Sequence, residues 1–299
     1  MLLYMARQPA LRRWVETSAA TRRLSQRFIA GDTLEAAVDV CLRLKADGIT
    51  ATLDYLGENV ASLDQTAASR DMGLRTLEAM QNAGLEPNIS VKLTQFGLDL
   101  SDAACEANVG TVVEAAAAIG GFVRVDMESS EYTDRTLDIV RHLFSRYRAC
   151  GTVIQAYLRR SALDIGALAA EGVRVRLCKG AYLEAPEVAF EQKDDVDRSY
   201  MELAEILLGR GFYPAIATHD EKMIAHVRRF VAQQAIAADR FEFQMLYGIR
   251  RDLQKRLVSE GFRVRVYVPF GEAWYPYFMR RLAERPANVL FLVRNIFRS

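Results

Sequence analysis

Eight short stretches of the chain are rich in β-branched and aromatic residues: GITATLD (48–54), NISVKLT (88–94), FVRVDME (122–128), TVIQAYL (152–158), VRVRLCKG (173–180), YPAIATH (213–219), FEFQMLYG (241–248) and RVRVYVPFG (263–271). Between them the apolar positions recur at helical spacing, as in DRTLDIVRHLFSRY and in DRSYMELAEILLGRG, which ends on the glycine expected just past a helix. Strands alternating with helices read as βα units around a parallel sheet, and eight of them fit a closed barrel better than a doubly wound sheet. The fold class predicted is α/β, a distorted (β/α)8 barrel. Residues 1–47 read as basic helices, RRWVETSAATRRLSQRF and TLEAAVDVCLRLK, packed outside the barrel. Residues 48–299 form the barrel itself, with a C-terminal helix over its mouth.

Alternation within the strands says which side chains face inward, because successive residues of a strand point to opposite faces. Ile89, Val91 and Leu93 share the apolar phase, which puts Lys92 on the other. Val123, Val125 and Met127 oppose Arg124, Asp126 and Glu128; Val173, Val175 and Leu177 oppose Arg174 and Arg176; Val264, Val266 and Val268 oppose Arg263, Arg265 and Tyr267. The lumen is therefore charged. Isolated buried charges are costly, so it must be cross-paired, wetted or occupied by a ligand. For Arg124, Arg174, Arg263 and Arg265, near the strand starts, an ion-pair network that fills the barrel is the favoured reading. Active sites of such barrels form at the C-terminal strand ends, where Lys92, Asp126, Arg176, Lys179, Thr218, His219 and Tyr267 fall.

Composition narrows the function classes. In 299 residues, 51% hydrophobic and 26% charged, there is apolar surface for a sizeable core and no case for disorder. The 39 basic residues almost balance the 38 acidic ones, so nothing global points to nucleic acid. Cys41, Cys105, Cys150 and Cys178 form no CxxC, which argues against a zinc site or a disulfide framework and for a reducing, cytoplasmic location. The N-terminal apolar run is too short for a signal peptide, and no window holds the roughly 18 uncharged residues of a membrane span.

Lysine is rare, with six in the chain, yet Lys92 and Lys179 both sit at strand ends. A Schiff-base role is open to either. A point charge for a carboxylate or phosphate is favoured, since arginines and an acid lie nearby. His219 follows Thr218, while His142 and His226 fall on predicted helices, so no multi-histidine metal site can be assembled. After PFG, the segment from Trp274 reads as a helix with Arg280 and Arg281 one turn beyond Tyr277, and Glu284 is spaced to pair with either guanidinium. Paired arginines on a helix usually face solvent. Beside the last strand end and a lysine-bearing lumen they make a carboxylate clamp.

SVKLTQFG, VRVDME, VIQAYLRR, RLCKGAY, ATHDEKM, FEFQMLYG and RVYVPFGEAWYPYFMRRLAE resemble, in that order, the signature segments of the proline dehydrogenases. The resemblance spans residues 50–285 and departs from the family pattern at Cys178, where a small apolar side chain is commoner. It implies a flavoenzyme that oxidises L-proline to Δ1-pyrroline-5-carboxylate by hydride transfer to FAD. It further implies FAD contacts from Met127, Gln155, Arg176, Lys179, Gly180, Ala181, Thr218 and His219, with Arg176 near flavin N5. The proline pocket it implies comprises Lys92, Asp126, Leu246, Tyr267, Tyr277, Arg280 and Arg281, with Tyr182 close by. Asp126 and Arg176 would be the catalytic pair, Arg176 stabilising negative charge on the reduced ring system. No GxGxxG follows the first strand, so FAD would lie across the barrel mouth.

In the family the electrons pass to a membrane quinone, and a separate pyrroline-5-carboxylate dehydrogenase takes the product. The apolar, arginine-bearing tail ANVLFLVRNIFRS and the basic N-terminal helix allow peripheral contact with the inner face of the cytoplasmic membrane, against the plain reading that both pack on the barrel. Two other classes stay open: a Schiff-base lyase using Lys92 or Lys179, and a non-catalytic amino-acid binder.

Overall fold

A computed structural model describes residues 25–57 and 60–283, without the side chains of Arg280, Leu282 and Ala283. All eight predicted strands form: β1 Thr50–Tyr55, β2 Asn88–Val91, β3 Phe122–Val125, β4 Cys150–Gln155, β5 Arg174–Cys178, β6 Ala215–Ala217, β7 Glu242–Leu246 and β8 Val264–Phe270. They close in sequence order into one barrel, β8 pairing back to β1, with every pair parallel. The apolar phase lies under the outer helices: Ile89, Val91, Val123, Val125, Val175, Leu177, Val264, Val266 and Val268 are all buried in the main core. Each such side chain contributes about 1.5–3 kcal/mol when fully buried, which is why a one-residue slip of any strand is forbidden.

Helices follow β1 to β7 in turn: α2 Leu63–Asn82, α3 Asp102–Ala118, α4 Thr133–Tyr147, α5 Ser161–Glu171, α6 Lys193–Arg210, α7 Glu221–Gln233 and α8 Arg251–Ser259. Their starts carry side-chain caps where the sequence supplies them. Ser62 accepts from the Gln65 amide, Ser101 from Ala104 and Asp220 from Lys222. Gly211 stands just past the last residue of α6, as the sequence predicts.

The barrel is distorted at its closure. The outer helix against β1 and β8 is α1, Leu34–Ala46, which precedes the first strand and is capped by Thr33. The helix after β8, α9 (Tyr275–Ala283), instead joins a separate apolar cluster with Phe28, Ile29, Leu56 and Ile249, against which Leu246 and Tyr267 pack. Those partners stand at strand ends, so α9 lies over the mouth. The chain before α1 reaches the same region, because Gly248, at φ +75°, lets the Arg27 carbonyl approach where a Cβ would sit 1.5 Å away. The predicted first helix lies almost wholly outside the described residues, as do the C-terminal tail and Glu284.

At the foot of the lumen the expected ion-pair network needs correction. Among the described residues, Arg265 alone of the four arginines pairs with carboxylates: its Nε meets both Glu242 oxygens at 3.0 and 3.1 Å and its Nη2 meets Glu86 at 2.8 Å. Arg124 donates to the carbonyls of Thr152 and Arg174. The Arg174 guanidinium lies over the rings of Phe122 and Tyr213, at 4.3 and 4.5 Å from their centroids. Arg263 is exposed and donates to the Tyr213 hydroxyl. Carbonyls, ring faces and a tyrosine hydroxyl thus meet guanidiniums that strand alternation alone assigned to carboxylates.

Candidate active site

Toward the mouth, lumen-facing residues on or just past six strands meet in one polar cluster. The Lys92 ammonium lies 3.1 Å from Asp54 Oδ2, 3.3 Å from its Oδ1 and 3.8 Å from Asp126 Oδ2. Arg176 donates from Nη1 to Asp126 Oδ1 at 2.8 Å and from Nε to Gln244 Oε1 at 2.5 Å. Ser90 donates to the same Asp126 oxygen at 2.6 Å. The Tyr267 hydroxyl reaches Asp54 at 2.5 Å and Asp126 at 3.1 Å, while its ring lies 5.3 Å from the Arg176 guanidinium. Gln244 in turn donates to Glu242, so a continuous ladder joins this cluster to Arg265 at the foot.

Two anions and two cations make this cluster neutral as ionised, which sets what it can accept. A zwitterion adds no net charge, whereas a lone carboxylate would need a further cation. Burial pushes the Asp54 carboxyl up and Asp126 adds to that, against the opposing pull of Lys92. Burial likewise pushes the Tyr267 phenol well above its ordinary range, with Asp126 and Asp54 adding, so it stays a hydrogen-bond donor at neutral pH.

Lys92 is brought here by a local device. The second strand stops at Val91, and Leu93–Phe96 turns into a 3-10 helix that Lys92 precedes. Buried Glu128 holds that turn, accepting from the Thr94 amide at 3.1 Å and its hydroxyl at 2.6 Å. Gln155 donates to the Glu128 carbonyl at 2.9 Å and accepts from the Ala181 amide at 3.3 Å, which ties the β2, β3, β4 and β5 ends together.

The remaining predicted residues divide around the rim. Lys179 does not join Lys92: it pairs with Asp197 and, at 2.8 Å, with Asp220, next to Thr218, whose hydroxyl accepts from the Asp220 amide. His219 Nε2 accepts from the Leu246 amide at 2.9 Å, so a proton on its ring sits at Nδ1. Gly180 and Ala181 are exposed, and Gly180 has φ +127°, where a Cβ would lie 2.3 Å from the Tyr157 ring. Tyr182 is half-buried beyond them. Met127 turns into the apolar core, as its strand phase requires, which leaves its backbone for any contact at the mouth. On α9, Tyr277 is buried and Arg281 is half-buried, its guanidinium 5.3 Å from the Tyr277 ring. The Arg280 side chain lies outside the described residues.

Asp54, Ser90, Gln244, Glu128 and Asp197 were not predicted as site residues. Alternation would have found Asp54 and Gln244, which oppose Leu53 and Met245 as Asp126 opposes Val125. Asp197 carried no such signal, since an acid in the first turns of a helix ordinarily faces solvent. It is 1% exposed because Lys179 and Lys193 both reach it.

A parallel eight-stranded barrel with a polar cluster at the C-terminal strand ends and a helix over its mouth defines a (β/α)8-barrel enzyme. The chain belongs to the proline dehydrogenase family, whose model matches residues 37–294. It is 40% identical over 299 residues to proline dehydrogenase 1 of Bacillus subtilis strain 168, covering 100% of this chain and 99% of that protein. To the proline dehydrogenase of Deinococcus radiodurans it is 42% identical over 281 residues, 92% of this chain and 91% of the other. Among solved structures, proline utilization A from Bdellovibrio bacteriovorus, inactivated by N-propargylglycine, is similar with a TM-score of 0.81 and 27% identity. That match covers 88% of this chain and 32% of the longer protein.

Proposed function

We propose that this chain oxidises L-proline to Δ1-pyrroline-5-carboxylate with FAD held across the barrel mouth, as the first step of proline catabolism. The observation that carries the reading is the Arg176 guanidinium. Gln244 and Asp126 fix it on two sides, while its Nη2 is buried without a hydrogen-bond partner among the described residues. A buried donor of this kind costs about 1–3 kcal/mol until an acceptor meets it, and the heteroatom edge of a flavin is such an acceptor. Bound there, FAD supplies the acceptor for the hydride that leaves the ring carbon beside nitrogen.

The residues of the chain then divide the remaining work. Arg281 and Arg280 bind the proline carboxylate from α9, with Lys92 below. Tyr267 packs on the ring, and Tyr182, Leu246 and Tyr277 close the pocket around it. Asp126 and Arg176 face the reacting atoms, Asp126 oriented by Ser90 and Arg176 by Gln244. Gln155, Lys179, Ala181, Thr218, His219 and the Met127 backbone hold the cofactor along β3 to β6. The apolar cluster of α9 excludes water, which strengthens each of these charge contacts.

A Schiff-base lyase is disfavoured by the same geometry. Lys92 and Lys179 each face two carboxylates, the reverse of the apolar or cationic surroundings that make a lysine nucleophilic. We further propose that the electrons go on to a membrane quinone and that a separate pyrroline-5-carboxylate dehydrogenase consumes the product. No helix among the described residues is long and apolar enough to cross a membrane. The purified chain should be yellow, with a flavin absorption band that bleaches on adding proline and returns with a short-chain quinone. A colourless protein that also refuses added FAD would overturn the reading.

A further inference from the structure

The reaction described above uses Lys92 and Tyr267 and leaves the carboxylate between them without a task. Asp54 is 0% exposed, so it does not meet solvent, and replacing a buried ion pair with apolar residues is often neutral or stabilising. Stability alone therefore gives little reason for a charge at this point. Its place in the barrel supplies one. The strand β1 pairs with β2 on one side and β8 on the other, with Asp54 opposite Ser90 and Pro269. One inward step beyond Ser90 lies Lys92, and one before Pro269 lies Tyr267, so both converge on Asp54 from neighbouring strands.

Both carboxylate oxygens are engaged by these two side chains, at 3.1 and 3.3 Å from the ammonium and 2.5 Å from the phenol. Among the described residues Lys92 also has Asp126 within 3.8 Å, and Arg176 holds Asp126 at 2.8 Å. Without Asp54 the lysine would be drawn toward an acid that the arginine already holds. We infer that Asp54 is a positioning residue that fixes the Lys92 ammonium and the Tyr267 phenol as one unit facing the substrate and leaves Asp126 to Arg176. The inference rests on the proline reading given above.

The test uses the flavin-loaded chain and two readouts, steady-state kinetics with proline and calorimetric binding of cyclopentanecarboxylate, a ring acid that cannot be oxidised at nitrogen. Asp54→Asn should raise both KM and the Kd of the acid by about ten- to a hundredfold, the range for a hydrogen bond to a charged group. Flavin content should stay at the unmutated level and kcat should fall less than KM rises. Tyr267→Phe should raise the same constants, and the double variant should be no worse than the more affected single one, because the two side chains act as a unit. Unchanged KM and Kd in Asp54→Asn, or fully additive losses in the double variant, would overturn the inference. If Asp54→Asn does not fold, Asp54→Glu keeps the charge and displaces its oxygens by one methylene. It should show the same rise, and unmutated constants there would equally overturn the inference. An unmutated chain that neither binds the ring acid nor oxidises proline would instead sink the functional reading, and this inference with it.

Discussion

Replacing Arg265 with methionine removes the cation at the foot of the lumen while keeping most of the side-chain volume. Glu242, 2% exposed, would lose two hydrogen bonds and its neutralising charge, retaining donors from Gln244 and, at 3.3 Å, Tyr213. Breaking a buried pair by removing one partner costs about 3–5 kcal/mol, and the two surviving donors put this case at the lower end, about 3 kcal/mol. Glu86 adds little, because its side chain is 51% exposed. Burial raises the Glu242 carboxyl, but Arg265, the Gln244 hydrogen bond and Arg124 together hold it below its ordinary range. Its contribution to stability is therefore present above about pH 4.3, the unperturbed value, and fades as pH falls through the lower folded one. Urea denaturation followed by circular dichroism at pH 7 should show the loss, and the gap from the unmutated chain should narrow at pH 4. Arg265→Met with Glu242→Leu should recover part of it, since both partners of the buried pair are then removed together. A single variant losing less than about 1 kcal/mol, or a double variant no more stable than the single, would refute the reasoning.

Arg281→Met should raise KM for proline by about ten- to a hundredfold while bound flavin is retained, because a carboxylate contact worth roughly 1.5–3 kcal/mol is lost; Arg280→Met should do the same, and an unchanged KM in both would move the clamp elsewhere. The unmutated chain should prefer L-proline to 4-hydroxyproline by a wide margin, since the Tyr267 phenol is engaged by Asp54 and Asp126 and offers the added ring hydroxyl neither room nor a free partner. Tyr267→Ser should narrow that margin mainly by losing activity on proline, read as kcat/KM for both substrates in both proteins, and equal efficiency in the unmutated chain would remove Tyr267 as the selector.

By itself the sequence determined the barrel and much of what faces into it. The eight apolar alternations became eight strands, because a phase of valines and isoleucines has a single way to be buried under a ring of helices. The same period carried Lys92, Asp126, Arg176 and Tyr267 into one cluster, since period-two geometry is local and needs no knowledge of neighbours. Which charge meets which was decided by the tertiary structure alone. Pairing of β1 with both β2 and β8 places Asp54 between Lys92 and Tyr267, and these three are separated by 38 and 213 positions along the chain. Lys92 and Lys179 are both strand-end lysines, but they fall on opposite phases of their strands: Lys92 opposes Val91 and enters the lumen, whereas Lys179 continues the phase of Val175 and Leu177 and meets Asp197 on α6 and Asp220 at the start of α7. The helix after β8 could have stood in the outer ring. Because α1 already covers β1 and β8, α9 buries its aromatic face over the mouth instead, and that exchange brings Arg281 above the strand ends.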